Sequence, residues 1–339
     1  MMVNWSHARW IWRGKLGLGI VAGVLAMTPL AGTAQETKPE IRRLEVVIPL
    51  SAGGGTDLLV RQLMEEVRPR IDAPIAILNI PGDGSLLGLS RVGRAAPDDA
   101  IIGFHNPPNT VLSQLARGAD APTDIRKLTS IGGYGRTYTV LATSAQSGIE
   151  SFEQLSKTFT GGEGHLIGGT DRAGSSELTA LLLKSDVKLN WKEYIAYDGS
   201  GALNAALTRN EVPVGLASYD SVYEGMQTGA LKPLLVLGAT ERLPGMPDTP
   251  TAAELGFPSL AEVAAPIRIV VGPPNMNPEL RDYFVKTWRE VIEDPTVIEK
   301  MRAAKVALEY IPPEEVDKAI QNAFAKLESL PALKEMMGK

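Results

Sequence analysis

Three short stretches of this sequence combine glycine and hydroxyl residues in a way suited to holding an anion. The first is Ser51-Ala52-Gly53-Gly54-Gly55-Thr56-Asp57 and the second Thr170-Asp171-Arg172-Ala173-Gly174-Ser175-Ser176. The third is Asp198-Gly199-Ser200-Gly201. Glycine lets a backbone turn sharply and come close to a ligand. A hydroxyl or an acid after it caps the helix that follows. The helix N-terminus then presents free N–H groups, a ready site for a carboxylate. Each of Thr56, Thr170, Ser175, Ser176 and Ser200 taken alone is also a plain helix cap, stabilising its helix by about 1 kcal/mol. Three loops of one type at the same place in the repeating unit favour the ligand reading. Arg172 is the one cation inside a glycine loop. It either grips a carboxylate bidentately or is a surface group paired with Asp171 or Glu177.

Other chemistries lack their parts. No GxxxxGK[ST] occurs, so a phosphate loop is missing its lysine. Gly82-Asp83-Gly84-Ser85-Leu86-Leu87-Gly88 is one residue too long for a dinucleotide fingerprint, and no acid ends the next strand. There is no GxSxG elbow. The chain has 3 histidines, His7, His105 and His165, with no metal-ligand spacing, and the latter two read as strand-end residues. The absence of cysteine excludes disulfides. We therefore expect no enzyme activity, no metal and no cofactor.

The elements that must position these loops alternate. Residues 44–49 form an apolar, β-branched run that reads as a buried strand. After the first loop, Val60, Leu63, Met64 and Val67 fall on one helix face. Strands over 75–79 and 101–105 follow, the second running into Asn106-Pro107-Pro108-Asn109, with a helix at 86–95 between them and another from 110. Gly132-Gly133-Tyr134-Gly135 reads as a flexible crossing point. The alternation then restarts: strands at 139–142, 165–168, 214–218 and 232–237, helices at 151–158, after Ser176 and after Gly201. A short helix is expected at 251–255 and a strand at 267–271. Asn277-Pro278-Glu279 opens a helix, and Pro312-Pro313 opens the last long one. Strands alternating with helices argue for α/β architecture with parallel sheets. Two such runs predict two lobes around a cleft, with the glycine loops and Asn106 at the carboxyl ends of the strands, where ligands bind in open α/β sheets.

Residues 1–34 have the form of a secretory signal: Arg9, Arg13 and Lys15, then an apolar run, then Gly32-Thr33-Ala34 as a small-residue cleavage site. The expectation is export to the periplasm with cleavage near Ala34. The formal charge is -5 overall, and since three of the 34 basic and none of the 39 acidic residues lie in the signal, the remainder carries about -8. Such a surface does not attract nucleic acid or an anionic membrane.

Several segments resemble the periplasmic solute-binding proteins of tripartite tricarboxylate transporters, the Bug family. They are Val47-Ile-Pro-Leu-Ser-Ala-Gly-Gly-Gly-Thr-Asp57, Asn79-Ile-Pro-Gly82, Ala95-Ala-Pro-Asp98, Tyr197-Asp-Gly199, Gly229-Ala-Leu-Lys-Pro-Leu234 and Pro247-Asp-Thr-Pro-Thr-Ala-Ala-Glu-Leu-Gly256. The similarity spans residues 41–327. It implies a two-lobed Venus-flytrap periplasmic binding protein, α/β and type II-like, with two crossing strands. Lobe one would comprise 35–133 plus 267–339 and lobe two 134–266. It implies capture of a small carboxylate by a monomer and its delivery to membrane permease subunits; a ligand sensor that presents its closed form to a membrane signalling partner is the alternative. By that resemblance, Ser51, Gly54, Gly55, Thr56 and Asp57 pinch the ligand carboxylate together with Thr170, Arg172, Gly174, Ser175 and Ser176. Tyr197 and Asp220 would face its far end. The family usually carries histidine where Glu177 stands, often lysine where Asp198 stands, and often a basic residue at Ile80. Their replacement, with Arg172 as a gain, favours a monocarboxylate, an amino acid or an aromatic acid over citrate.

Overall fold

The computed structural model describes residues 38–53, 55–160, 164–172, 174–257, 260, 267–303 and 306–336. The expected signal segment and Gly54 lie outside them. The chain from Pro39 onward forms one compact unit. Two five-stranded sheets organise it.

The first sheet has the order β2-β1-β3-β10-β4, with β1 Leu44–Ile48, β2 Ile75–Asn79, β3 Ile101–His105, β4 Thr129–Arg136 and β10 Ile267–Gly272. The pleat divides its side chains: Leu44, Val46 and Ile48 enter one core while Val47 enters the other. The first of these cores is closed by α1 (Gly55–Val67), through Val60, Leu63, Met64 and Val67, and by α8 (Pro278–Ile292), through Leu280, Phe284 and Trp288. The opposite face is covered by α2 (Leu86–Gly93), α3 (Asn109–Arg117) and α10 (Pro313–Ser329).

The second sheet has the order β7-β6-β8-β5-β9, with β5 Thr139–Ser144, β6 Leu166–Gly169, β7 Glu193–Ala196, β8 Val214–Ser218 and β9 Leu231–Leu237. Helices α4 (Phe152–Thr160) and α5 (Ser175–Ser185) pack on one face, α6 (Gly199–Thr208) and α7 (Tyr219–Gln227) on the other. The chain crosses between sheets twice, after β4 and before β10.

Four expectations change. The sheets are mixed rather than parallel. The returning strand β10 runs antiparallel to β3 and β4, and β5 runs antiparallel to β8 and β9. The glycine run 132–135 is not a flexible crossing point but the middle of β4, which continues to Arg136, beyond the expected boundary at 133. There glycine permits close packing: a Cβ at Gly133 would lie 2.8 Å from Ile311 and one at Gly135 2.9 Å from the Ala307 carbonyl. Residues 251–256 are a turn after the Val236–Thr251 bridge, not a helix. The last short helix, α11 (Pro331–Met336), packs on α5, a helix of the second sheet, so the C-terminus does not belong wholly with lobe one. Helix α9 (Pro295–Ala303) follows α8.

Phe104, Tyr134 and Trp288 form a buried edge-to-face triad with centroids 5.5–5.6 Å apart, and the Trp288 indole N–H donates to the Gly133 carbonyl at 3.2 Å. This cluster ties α8 to β3 and β4, the strands that flank β10. Trp288→Ala should lower unfolding free energy by about 3–5 kcal/mol in urea denaturation, the usual cost of emptying such a site.

Candidate functional site

A cleft of about 1060 Å³ lies between the sheets, at the carboxyl ends of β1, β3, β6, β7 and β8. Five helices begin on it. Thr56 comes from α1, Asn109 from α3, Ser175 and Ser176 from α5, Gly199, Ser200 and Gly201 from α6, and Asp220 and Ser221 from α7. Asn106, Thr137, Thr170 and Arg268 complete its polar wall. Leu58, Leu59, Tyr138 and Val306 supply an apolar one.

The local sequence explains the shape of each loop. In the first, the buried Asp57 carboxylate accepts from the Gly53 N–H at 2.8 Å, from Arg61 Nε at 2.9 Å and from Asn79 Nδ2 at 2.9 Å. Asn79 also donates to the Leu50 carbonyl at 3.1 Å, so the glycine loop is fastened to the end of β2. Burial pushes the Asp57 carboxyl up, but the hydrogen bonds from Arg61, Gly53 and Asn79 outweigh it and hold it at about 2. Asp57 is thus an ionised clamp within the loop.

In the second loop, Asp171 folds back onto the helix it precedes. Its carboxylate accepts from the N–H of Ser176 at 3.2 Å and of Glu177 at 3.4 Å. The Asp171 carbonyl accepts from the Tyr194 hydroxyl at 2.7 Å. Ser176 Oγ accepts from the Thr170 N–H at 3.1 Å, closing the loop on itself. Burial pushes Asp171 up to about 6, opposed by the Ser176 and Glu177 N–H groups and reinforced by the Glu177 charge. The α5 terminus therefore already holds a carboxylate of its own.

In the third loop, Ser200 Oγ accepts from the Ser218 N–H at 3.1 Å, and Asn204 Nδ2 donates to Ser221 Oγ at 2.6 Å. These bonds lock the starts of α6 and α7 together. The hydroxyls of Ser200 and Ser221 face the same cleft.

The structure brings Thr56, Asn106, Thr170, Ser175, Ser176 and Asp220 to one cleft. It sets others apart. Ser51 is exposed beside the loop, and Tyr197 packs on the α6 core rather than lining the cleft. Gly55 starts α1, and Gly174 lies against the Asp171 carboxylate. Arg172 does not line the cleft. Its side chain is 63% exposed, pairs with Glu177 at 3.0 Å, donates to the Tyr194 carbonyl at 3.2 Å and lies over the Tyr194 ring. An arginine flanked by an acid five residues on and an aromatic strand finds partners on its own lobe.

Arg268 was not singled out from the sequence. It is the one cation lining the cleft among the described residues. The signal was a lone charge in an otherwise apolar strand, Ile267-Arg268-Ile269-Val270-Val271. Its guanidinium donates through Nη2 to Asp220 Oδ2 at 3.0 Å, and its side chain is 13% exposed. His105 is buried at the end of β3, within 2.9 Å of Thr110 Oγ1, and burial holds it down at about 3, a neutral core residue at working pH.

Comparison with known proteins settles the family. Residues 59–335 match the family described as "Tripartite tricarboxylate transporter family receptor". The chain belongs to this family. Protein BugT of Bordetella pertussis is similar, at 23% identity over 290 residues, covering 84% of this chain and 87% of the relative. Among solved structures, an R. palustris protein with adipate aligns at a TM-score of 0.73 and 19% identity, covering 88% of this chain and 97% of that one. MatC from Rhodopseudomonas palustris with bound malate aligns at 0.71 and 19% identity, covering 88% and 99%. These alignments show the two-lobed binding-protein fold. The family is one of receptors, not enzymes.

Asp171→Asn tests the self-capped terminus. The folded-state carboxyl lies above its ordinary 3.8, so its protonation favours the folded protein at low pH, and that contribution is lost as pH rises through about 6. Asparagine keeps the acceptor oxygen without the charge. The variant should match wild-type Tm near pH 4 and exceed it by a few degrees at pH 7.5, read by circular dichroism.

Proposed function

We propose that the cleft captures a small carboxylate in the periplasm, after export, and hands it to the membrane permease subunits of a tripartite tricarboxylate-type transporter. The observation that carries this reading is the convergence of five helix N-termini on one cleft between two sheets. Each terminus not already capped, as α5 is by Asp171, adds about 0.3–1 kcal/mol to anion binding. Hydrogen bonds to a charged acceptor add about 1.5–3 kcal/mol gross apiece. A micromolar complex needs about 8 kcal/mol, within reach of such a pocket without a metal. Malate and adipate in the structurally similar proteins are carboxylates of the size class this cleft would admit.

Three features favour a monocarboxylate, an amino acid or an aromatic acid over citrate. Arg268 alone among the described lining residues is cationic, and it already has Asp220 as a partner. Asp198, Asp220 and Glu224 put three acids on the same wall, repelling extra carboxylates. Leu58, Leu59, Tyr138 and Val306 offer apolar surface to a hydrocarbon or a ring. On this reading the lobes close because both contact the ligand only when shut, which shifts the population toward the closed form.

A thermal-shift screen against small carboxylates, amino acids and aromatic acids tests the proposal. A ligand at a hundred times its dissociation constant stabilises by about 2.7 kcal/mol, which for a protein of this size is several degrees. Citrate should give no shift. Micromolar binding of citrate would overturn the charge argument, and silence across the whole panel would overturn carboxylate capture.

A further inference from the structure

We propose that Arg268, and not the glycine-loop arginine Arg172, is the anchor for the ligand carboxylate, with Asp220 as the resident anion that tunes its charge selectivity. This rests on the carboxylate-binding reading of the cleft and goes beyond it in naming the receptor group.

Arg268 is held on β10, an inner strand between β3 and β4, where backbone pairing on both sides fixes its position. Its guanidinium spends one N–H contact on Asp220, and its other donors have no partner among the described residues. A fork with free donors inside a partly buried cleft is matched to a carboxylate. Polar groups around it are also unfinished. Asn106 Oδ1, Asn109 Oδ1 and Thr137 Oγ1 line the same cleft, are shielded from solvent and lack partners. Buried polar atoms left unpaired are costly, and a bound polar ligand would pair them. The first and second glycine loops, by contrast, already hold carboxylates of their own, Asp57 and Asp171.

Asp220 comes from the first turn of α7 on the second sheet, while Arg268 belongs to the first. The pair therefore crosses the cleft. Arg268 and Asp220 together carry no net charge, so the free donors of the fork can bond one carboxylate, while a second carboxylate would face Asp220 without a cation of its own. Asp220 thereby biases the anchor toward monoanions.

The test is isothermal titration of the full mature chain with benzoate, malate and adipate. Arg268→Gln should weaken every probe that the wild type binds by at least about tenfold. Asp220→Asn should do the opposite, tightening the dianions malate and adipate about three- to tenfold and benzoate less. A pair that merely ties the lobes together would be broken by both substitutions and would move affinity in the same direction in each. Same-direction shifts, or unchanged binding in Arg268→Gln, overturn the inference and leave carboxylate capture standing. Failure of the wild type to bind any of the three probes, with the wider carboxylate and amino-acid panel also silent, overturns this inference together with the reading beneath it.

Discussion

The carboxylates of Asp57 and Asp171 set the shape of the first two glycine loops, and the cleft depends on that shape. A helix that starts at a cleft exposes N–H groups with no partner in the helix itself. Each loop answers with an aspartate from its own sequence: Asp57 reaches back to Gly53, and Asp171 reaches forward to Ser176 and Glu177. The environments differ in sign. Arg61 and Asn79 make Asp57 an unconditional anion, while Asp171 has no cation on its carboxylate among the described residues and sits close to Glu177. One loop is thus fixed at every physiological pH, and the other holds its charge at a cost near neutrality.

The two sheets depend on the crossing strands in a related way. β4 and β10 pair along their length in the first sheet, and the chain enters the second sheet only three residues after Arg136, at Thr139. Tyr219 N–H donates to the Tyr138 carbonyl at 2.8 Å, so the start of α7 is stitched to the crossing itself. The aromatic triad packs on β4, and the 307–311 segment runs against Gly133 and Gly135, bridging Gly133 through Ile311. At the first crossing a rotation between lobes therefore has few residues in which to occur, 137 and 138. The side chains of Thr137, Tyr138 and Arg268, which line the cleft, lie at this joint. A ligand that touches them senses the angle between the lobes directly.

The strands, the glycine loops and the two-lobed layout were legible because each is a local pattern: a β-branched run, a turn residue, a helix with one apolar face. What was not legible depended on tertiary placement. The antiparallel return of β10 follows from where the chain re-enters the first sheet, which no window of sequence records. The packing of α11 on α5 joins residues more than a hundred positions apart. Asp57 read as an acid at a helix end and Asp171 as one possible partner of Arg172, yet both are spent on their own loops, because a short acid at that spacing can bend back. Arg172 drew attention as a cation among glycines, but a long side chain on an exposed loop takes the nearest acid and ring, Glu177 and Tyr194. Arg268 was concealed by its apolar neighbours, although a lone charge in a strand with buried flanks is the pattern that a functional group leaves.

Selectivity in this cleft is a matter of electrostatic balance. A polycarboxylate needs a cation for each negative charge, or it must keep the water that a closing cleft expels. The described lining provides one cation with an acid beside it and three acids in all, so each added carboxylate meets repulsion that grows as the lobes shut and the local dielectric falls. The helix termini cannot make up the difference, since their partial charges act within a turn and one of them is already occupied by Asp171. A single carboxylate meets the reverse situation: one fork, several hydroxyls and an apolar wall for the remainder. Closure should therefore sharpen the preference for low charge, because repulsion and desolvation rise together along the same motion.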